Sequence, residues 1–460
     1  MPALWAAAFG ACVGSLINVL AYRLPLGLDV VSPPSKCPSC ETYLTWRENI
    51  PIFGWLMLRG KCRFCKSHIS AQYPIVEATV ALIWFVLLGV WFSLPTWGSG
   101  PFGLSWQSVR PGWTASGLSS TWPIVLVMLT LISSLVAMTL TDLKSFTIPL
   151  VLPWFATLIA LIFHPLWALY VQLSAGDLFS LRGTMWPWAL ATPATLLSEQ
   201  NLTPSVPGSK VLLTAASSYA WLGAALGGAL GVGVSMLMLR FKLISPSFAD
   251  YEQWEAEQIA ASAAAGNAPA ETDPTALWTA YPHARREMVR ELAYLAPIGL
   301  LAIAGAVAAS LLANRFCAAG TLPTDYGTTM AVCIMPPLWL NVLGGVALGY
   351  LVGGGLVWLV RILGTFAFNK EAMGLGDVHL LAAVGAAMGW IDAILTFFTG
   401  AFVGLIWTLA GAVITRGGPR RTLPFGPSLA IAAGLVLLFK PLFELLLGRI
   451  LHADGAIDLP

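Results

Sequence analysis

Charge is what this chain has least of. Asp, Glu, Lys and Arg make up 10% of its 460 residues, against about 25% in soluble domains. So little charge cannot cover the surface of the two or three soluble domains that the length alone would allow. No basic cluster of the kind that follows a phosphate backbone is present, and a net charge of +2 singles out no partner. Nucleic acid is therefore not expected among its partners. The opening MPALWAAAFG lacks the basic region of a cleaved signal peptide, so the first apolar run is expected to stay as an anchor.

What the chain has instead is apolar sequence, at 57%. Runs near 3–22, 76–96, 123–141, 149–170, 213–239, 292–314, 337–360, 378–396, 398–415 and 425–447 are each about long enough to cross a bilayer as helix. The fold class expected is an all-α polytopic membrane protein of about ten transmembrane helices, with lipid as its surroundings. Lys and Arg orient it. With the N-terminus outside, segments 23–75, 142–148, 240–291, 361–377 and 416–424 face the cytoplasm and hold 18 of the 24 basic residues. The expected organisation is a first transmembrane helix (1–22), a cytoplasmic loop domain (23–75), further membrane helices (76–240), an acidic cytoplasmic insertion (241–291) and a last helical block (292–460).

Two aspartates stand where apolar runs meet this cytoplasmic side. Asp142 closes one run, just before LKSFTIP, and Asp377 opens another inside GLGDVHL. An acidic group at a membrane boundary is costly unless it has work to do. Either residue alone could simply cap a helix. Two at one face suggest a carboxylate pair, one protonated and one charged, able to activate water against an amide. His379, two residues after Asp377, reads as a polar residue at the cytoplasmic interface.

The 23–75 loop holds four of the 7 cysteines, as CPSC and CRFC: Cys37, Cys40, Cys62 and Cys65. Two Cys-x-x-Cys turns can complete a tetrahedral site, and disulfides rarely persist in the cytoplasm, so structural zinc is expected over two disulfides. A site saturated by four thiolates shapes the loop and leaves no open position for catalysis. His68 lies beside the second pair, but four cysteines suffice. Cys317 and Cys333 flank the outside segment TLPTDYGTTM and could pair there; Cys12 reads as a packing residue within the first run.

Glycines recur every fourth residue at Gly223, Gly227 and Gly231, and again at Gly345, Gly349 and Gly353. That spacing favours close helix packing. The stretch 245–283 is Ala-rich and acidic, then basic at Arg285, Arg286 and Arg290. It reads as a short helix followed by a solvated linker.

Together these segments resemble the prepilin peptidases, the leader peptidases and N-methyltransferases of type IV pilus and type II secretion systems. The resemblance runs through GACVGSLINVLAYRLP (10–25), CPSC with ENIPIFGWLMLRGKCRFCKSHISAQYPIVE (48–77), TDLKSFTIP (141–149), EAMGLGDVHLLAAVGAAMGW (371–390) and RTLPFGPSLA (421–430). It implies Asp142 and Asp377 as the catalytic pair, an inner-membrane location, and prepilin or pseudopilin substrates that lose a short basic leader. It also implies S-adenosylmethionine as methyl donor for the new N-terminus. The chain departs from the family pattern at His379, where Lys is usual, and at Leu150. It also carries an extra pair of runs, 213–239 and 292–314, beyond the family's usual eight. A presenilin-like aspartyl protease shares the Gly-x-Gly-Asp element but not the cysteine loop. A transporter with a zinc knuckle would need polar residues in mid-span, and the acidic residues here lie at boundaries.

Overall fold

The computed structural model describes residues 2–93, 110–111, 113–114, 117–145, 147–175, 207–248, 250–264, 282–317, 321–323, 329–331, 336–369, 372–415 and 425–450. All ten apolar runs are helical. In chain order the helices are α1 (Pro2–Arg23), the short α2 (Phe53–Met57), α3 (Gln72–Leu88, continued by a wider helical turn at Gly89–Ser93) and α4 (Leu118–Ser145). Then come α5 (Val151–Ala175), α6 (Pro207–Arg240), α7 (Tyr251–Ala264) and α8 (Ala284–Cys317). The last four are α9 (Leu338–Phe368), α10 (Leu375–Met388), α11 (Trp390–Thr415) and α12 (Phe425–Ile450). One small hairpin, β1 (Thr321–Pro323) against β2 (Thr329–Ala331), stands between α8 and α9, in the segment expected to be loop.

Among the described residues, eight helices are long and apolar enough to cross a membrane. The chain is an all-α, multi-pass membrane protein. The two remaining apolar helices are the informative ones. Helix α10 has 14 residues, or ~21 Å, against a hydrocarbon core of about 30 Å. The run expected at 378–396 is cut at Gly389, whose φ of 106° is open to glycine and closed to most side chains. Helix α12 carries non-helical backbone at Phe439. Beside it, Lys440 on α12 pairs with Asp392 on α11 at 3.1 Å, both buried.

Helix α10 is the centre of the bundle. Its residues from Asp377 to Met388 are buried apart from the half-buried His379, as befits a helix apolar on all sides. It is lined with Ala and Gly so that neighbours can come close. A side-chain carbon built on Gly349 would run into the Gly385 carbonyl, and one on Gly353 into that of Leu381. Helix α9 therefore lies backbone to backbone against α10, as its four-residue glycine spacing predicts. The other ladder behaves likewise: Gly223 and Gly227 of α6 meet the backbone at Gly305 and Leu301 of α8. Helix α4 also packs against α10, and its Leu131 and Met138 are completely buried.

The α9–α10 seam can be tested by size. Gly353→Leu should destabilise the protein by about 1–3 kcal/mol, read as a lower melting temperature in detergent. Gly355→Leu, which faces open space on the same helix, should melt like the wild type. Equal melting of the two variants would mean the helices are not in backbone contact.

Candidate active site

The aspartates reach one another from helix ends that point the same way. Asp142 lies in the last turn of α4, where Ser145 Oγ donates to the Thr141 carbonyl at 2.8 Å and closes the helix. The chain then passes through Ile148 and Pro149, outside any helix, into α5. Asp377 lies in the first turn of α10, after Gly374 in extended conformation. Gly376 sets the distance between the two motifs, since a Cβ there would sit 2.9 Å from Ile148 Cβ. Any side chain at 376 would push TDLKSFTIP away from GLGD.

A third segment completes the site. A Cβ on Gly426, at the start of α12, would lie 2.6 Å from Asp142 Oδ2 and 3.5 Å from Asp377 Oδ1. The two carboxylate oxygens are thus no further apart than those two distances taken end to end, and both lie beside the bare face of Gly426. The Gly426 N–H donates to the Asp142 carboxylate. Asp142 and Asp377 are 7% and 8% exposed, which leaves each an opening while removing most of its water. Gly426 is the residue that reading the sequence missed as part of the site. The sequence shows only a glycine inside LPFGPS, at the mouth of an apolar run, and nothing local singles it out.

His379, expected at the cytoplasmic interface, stands near the start of α10 between α9 and α5. It is half-buried, with Nδ1 3.4 Å from the Tyr350 hydroxyl of α9 and its ring centroid 6.3 Å from that of Trp154 of α5. The reason is the seam described above, which brings α9 over that face of α10.

The four cysteines of the loop converge. Cys37, Cys40, Cys62 and Cys65 have all their sulfurs within 4.8 Å of one another, and Cys37–Cys65 and Cys40–Cys62 stand at 3.9 Å. That is far beyond the ~2.05 Å of a disulfide and close to the edge of a tetrahedron with metal–sulfur bonds of about 2.3 Å. Each Cys-x-x-Cys turn is built alike. Cys37 N–H donates to Thr42 O and Cys62 N–H to Ser67 O, and Glu41 and Lys66 take positive φ just after the second cysteine. Backbone N–H groups of Cys40 and Ser39 pull the Cys37 thiol down to about 6, ready to bind as thiolate. The set could hold a metal ion. The loop is fastened to the membrane helices through Glu77 of α3, whose carboxylate accepts from Ile52 N–H at 2.6 Å. His68 takes part only through its backbone pairing with Lys61. Cys12 is exposed on α1 instead of packed, and the Cys317–Cys333 pairing falls outside the described residues.

Two protein families match the chain. Residues 8–91 match the bacterial Peptidase A24 N-terminal domain, and residues 298–409 match the type IV leader peptidase family. The second match includes Asp377, while Asp142 lies between the two. A prepilin leader peptidase/N-methyltransferase of Myxococcus xanthus is 48% identical over 79 residues, 17% of this chain and 24% of that protein. One from Klebsiella pneumoniae is 43% identical over 98 residues, 19% of this chain and 42% of that protein. One from Aeromonas salmonicida is 31% identical over 216 residues, 41% of this chain and 64% of that protein. In each case less than two thirds of the relative is spanned. No solved structure matches. These similarities support the prepilin peptidase reading of the sequence.

The thiol cluster makes a direct prediction. Purified protein should carry one tightly bound metal ion per chain by elemental analysis, and Cys37→Ser/Cys40→Ser should carry none. Metal-free wild type with all four thiols oxidised would overturn the site.

Proposed function

We propose that the protein is a membrane aspartyl endopeptidase that removes the short basic leader from prepilin-like or pseudopilin-like substrates. The observation that carries this reading is the meeting of Asp142 and Asp377 across Gly426. Two carboxylates so close in a poorly solvated site do not both ionise, and they titrate as a unit. The ionised member takes a proton from water as its oxygen attacks the scissile carbonyl. The protonated member donates a hydrogen bond to the oxygen that gains charge, and a proton then passes to the departing amine. The site lies at helix ends, where the junction between a basic leader and an apolar substrate helix would present itself. The Lys/Arg distribution supports a cytoplasmic-facing site in the inner membrane.

The relatives' names add N-methylation of the newly exposed N-terminus, with S-adenosylmethionine supplying the methyl group when bound. Zinc is the metal we assign to Cys37, Cys40, Cys62 and Cys65, because four thiolates in a tetrahedron suit it and leave it a structural part. The loop is then the part of the chain on which methylation depends more than cleavage does.

Incubating the purified protein with a prepilin and S-adenosylmethionine, then weighing the product, separates leader loss from methyl gain. Asp142→Asn, Asp377→Asn and the double variant should all lose cleavage to the same degree, since either carboxylate alone lacks the shared proton. Gly426→Ala should lose on the order of a hundredfold, because its methyl group would displace Asp142. Full cleavage by either Asn variant would remove that residue from the mechanism.

Deletion of residues 252–278 with a short Gly/Ser join should cleave at a near-normal rate. Ser247, Phe248 and Asp250, which bond to Glu291, Glu287 and Arg286, all precede the cut. An inserted but inactive deletion variant would show that the acidic segment serves the substrate.

A further inference from the structure

Outside the carboxylate pair, a buried polar assembly lies where α8 meets α9. Glu291 of α8 and Arg361 of α9 are 2% and 1% exposed and pair at 2.9 Å. Glu291 is held from two further sides, by the Trp358 indole N–H at 2.8 Å and the Ser247 hydroxyl at 3.1 Å. The Arg361 guanidinium stands 5.1 Å from the Phe248 ring centroid. Its other arm leaves the pair altogether: Nη1 donates to the Met373 carbonyl.

Met373 belongs to the turn that aims Asp377. Helix α9 ends at Asn369 in left-handed conformation, and the chain folds back so that Ala372 N–H donates to Thr365 Oγ1 at 3.3 Å. Met373 and Gly374 follow directly, and the first turn of α10 begins with Asp377 N–H on the Gly374 carbonyl at 3.2 Å. This turn carries two glycines just before the aspartate and has little stiffness of its own. A buried guanidinium with a fixed fork can bind a carboxylate and a carbonyl at once, which a lysine ammonium in the same place cannot do with the same rigidity. A buried charge pair is weak evidence for stability, and its retention calls for another account.

We infer that Glu291 and Arg361 form a positioning clamp, through which α8 fixes the Met373 carbonyl and so the placement of the Asp377 carboxylate. The inference rests on the reading of Asp377 as one of the cleaving pair. Helix α8 is then a support of the site. The Arg361 charge also acts on Asp377 across space; the clamp is the part it plays through the turn, and Arg361→Lys keeps that charge while losing the fork.

Two variants of the full chain in detergent test the clamp. Glu291→Leu/Arg361→Met removes both charges together, which avoids leaving one buried ion alone. Arg361→Lys keeps the cation and the ion pair but loses the fork, and it carries the test should the double variant not fold. Both should melt near the wild type. Cleavage of a prepilin peptide should fall in kcat on the order of tenfold or more, with KM within about twofold. Hydrogen exchange of the 372–377 amides should quicken about tenfold, with the rest of α10 unchanged. Exchange at the wild-type rate in the folded variants, or faster exchange with unchanged kcat, would overturn the clamp. If the wild type cleaves no prepilin, the proposed function fails, and the exchange comparison still decides whether Arg361 holds the turn.

Discussion

The close backbone contact between α9 and α10 is the constraint on which the rest of the bundle depends. In a bilayer, apolar side chains gain little by leaving lipid for one another, so helices associate where shape lets their backbones meet. Gly349, Gly353 and Gly385 provide that shape. They seat a helix too short to span the membrane at the centre of the bundle, enclosed by neighbours that do span it. The position of Asp377 follows, because a helix held this tightly along one face has little freedom to slide. The second approach, Gly376 against Ile148, then settles how near α4 can bring Asp142.

Much of this was legible in the amino-acid sequence, for reasons that can be named. Apolar run length identifies helices without knowledge of their neighbours, and all ten runs are helical. Four cysteines in two short turns announce their own meeting, because each pair is local and only two pairs must find each other. The aspartates were legible because an acid at the end of an apolar run is rare. What escaped notice depends on partners from distant segments. Gly426 matters through what would collide with its side chain, and no local pattern reports that. The break at Gly389 was hidden because hydropathy continues across it from Ala387 to Ile391; only the backbone angle shows it. Arg361 was counted as a cytoplasmic topogenic charge, yet it is buried and spent on Glu291 and Met373. The neighbours of His379, Tyr350 and Trp154, likewise come from distant helices.

The two ends of the molecule use polar groups differently. In the cysteine loop, turns, backbone N–H donors and four sulfurs supply the order that so short a segment cannot draw from a hydrophobic core. In the bundle, polar groups are few and paired across helices: Lys440 with Asp392, Arg361 with Glu291. Each pair fixes one helix against another at a single register, where apolar surfaces alone would allow several.

Gly426 has a consequence for the order in which the protein is made. Synthesis proceeds from the N-terminus, and helices enter the membrane as they emerge. Asp142 and Asp377 are both made before α12, but Gly426, the glycine beside both carboxylates, belongs to α12. Until that helix arrives, the carboxylates face a gap instead of a wall. More than nine tenths of the 460 residues precede α12, so both carboxylates are made well before the helix that closes beside them.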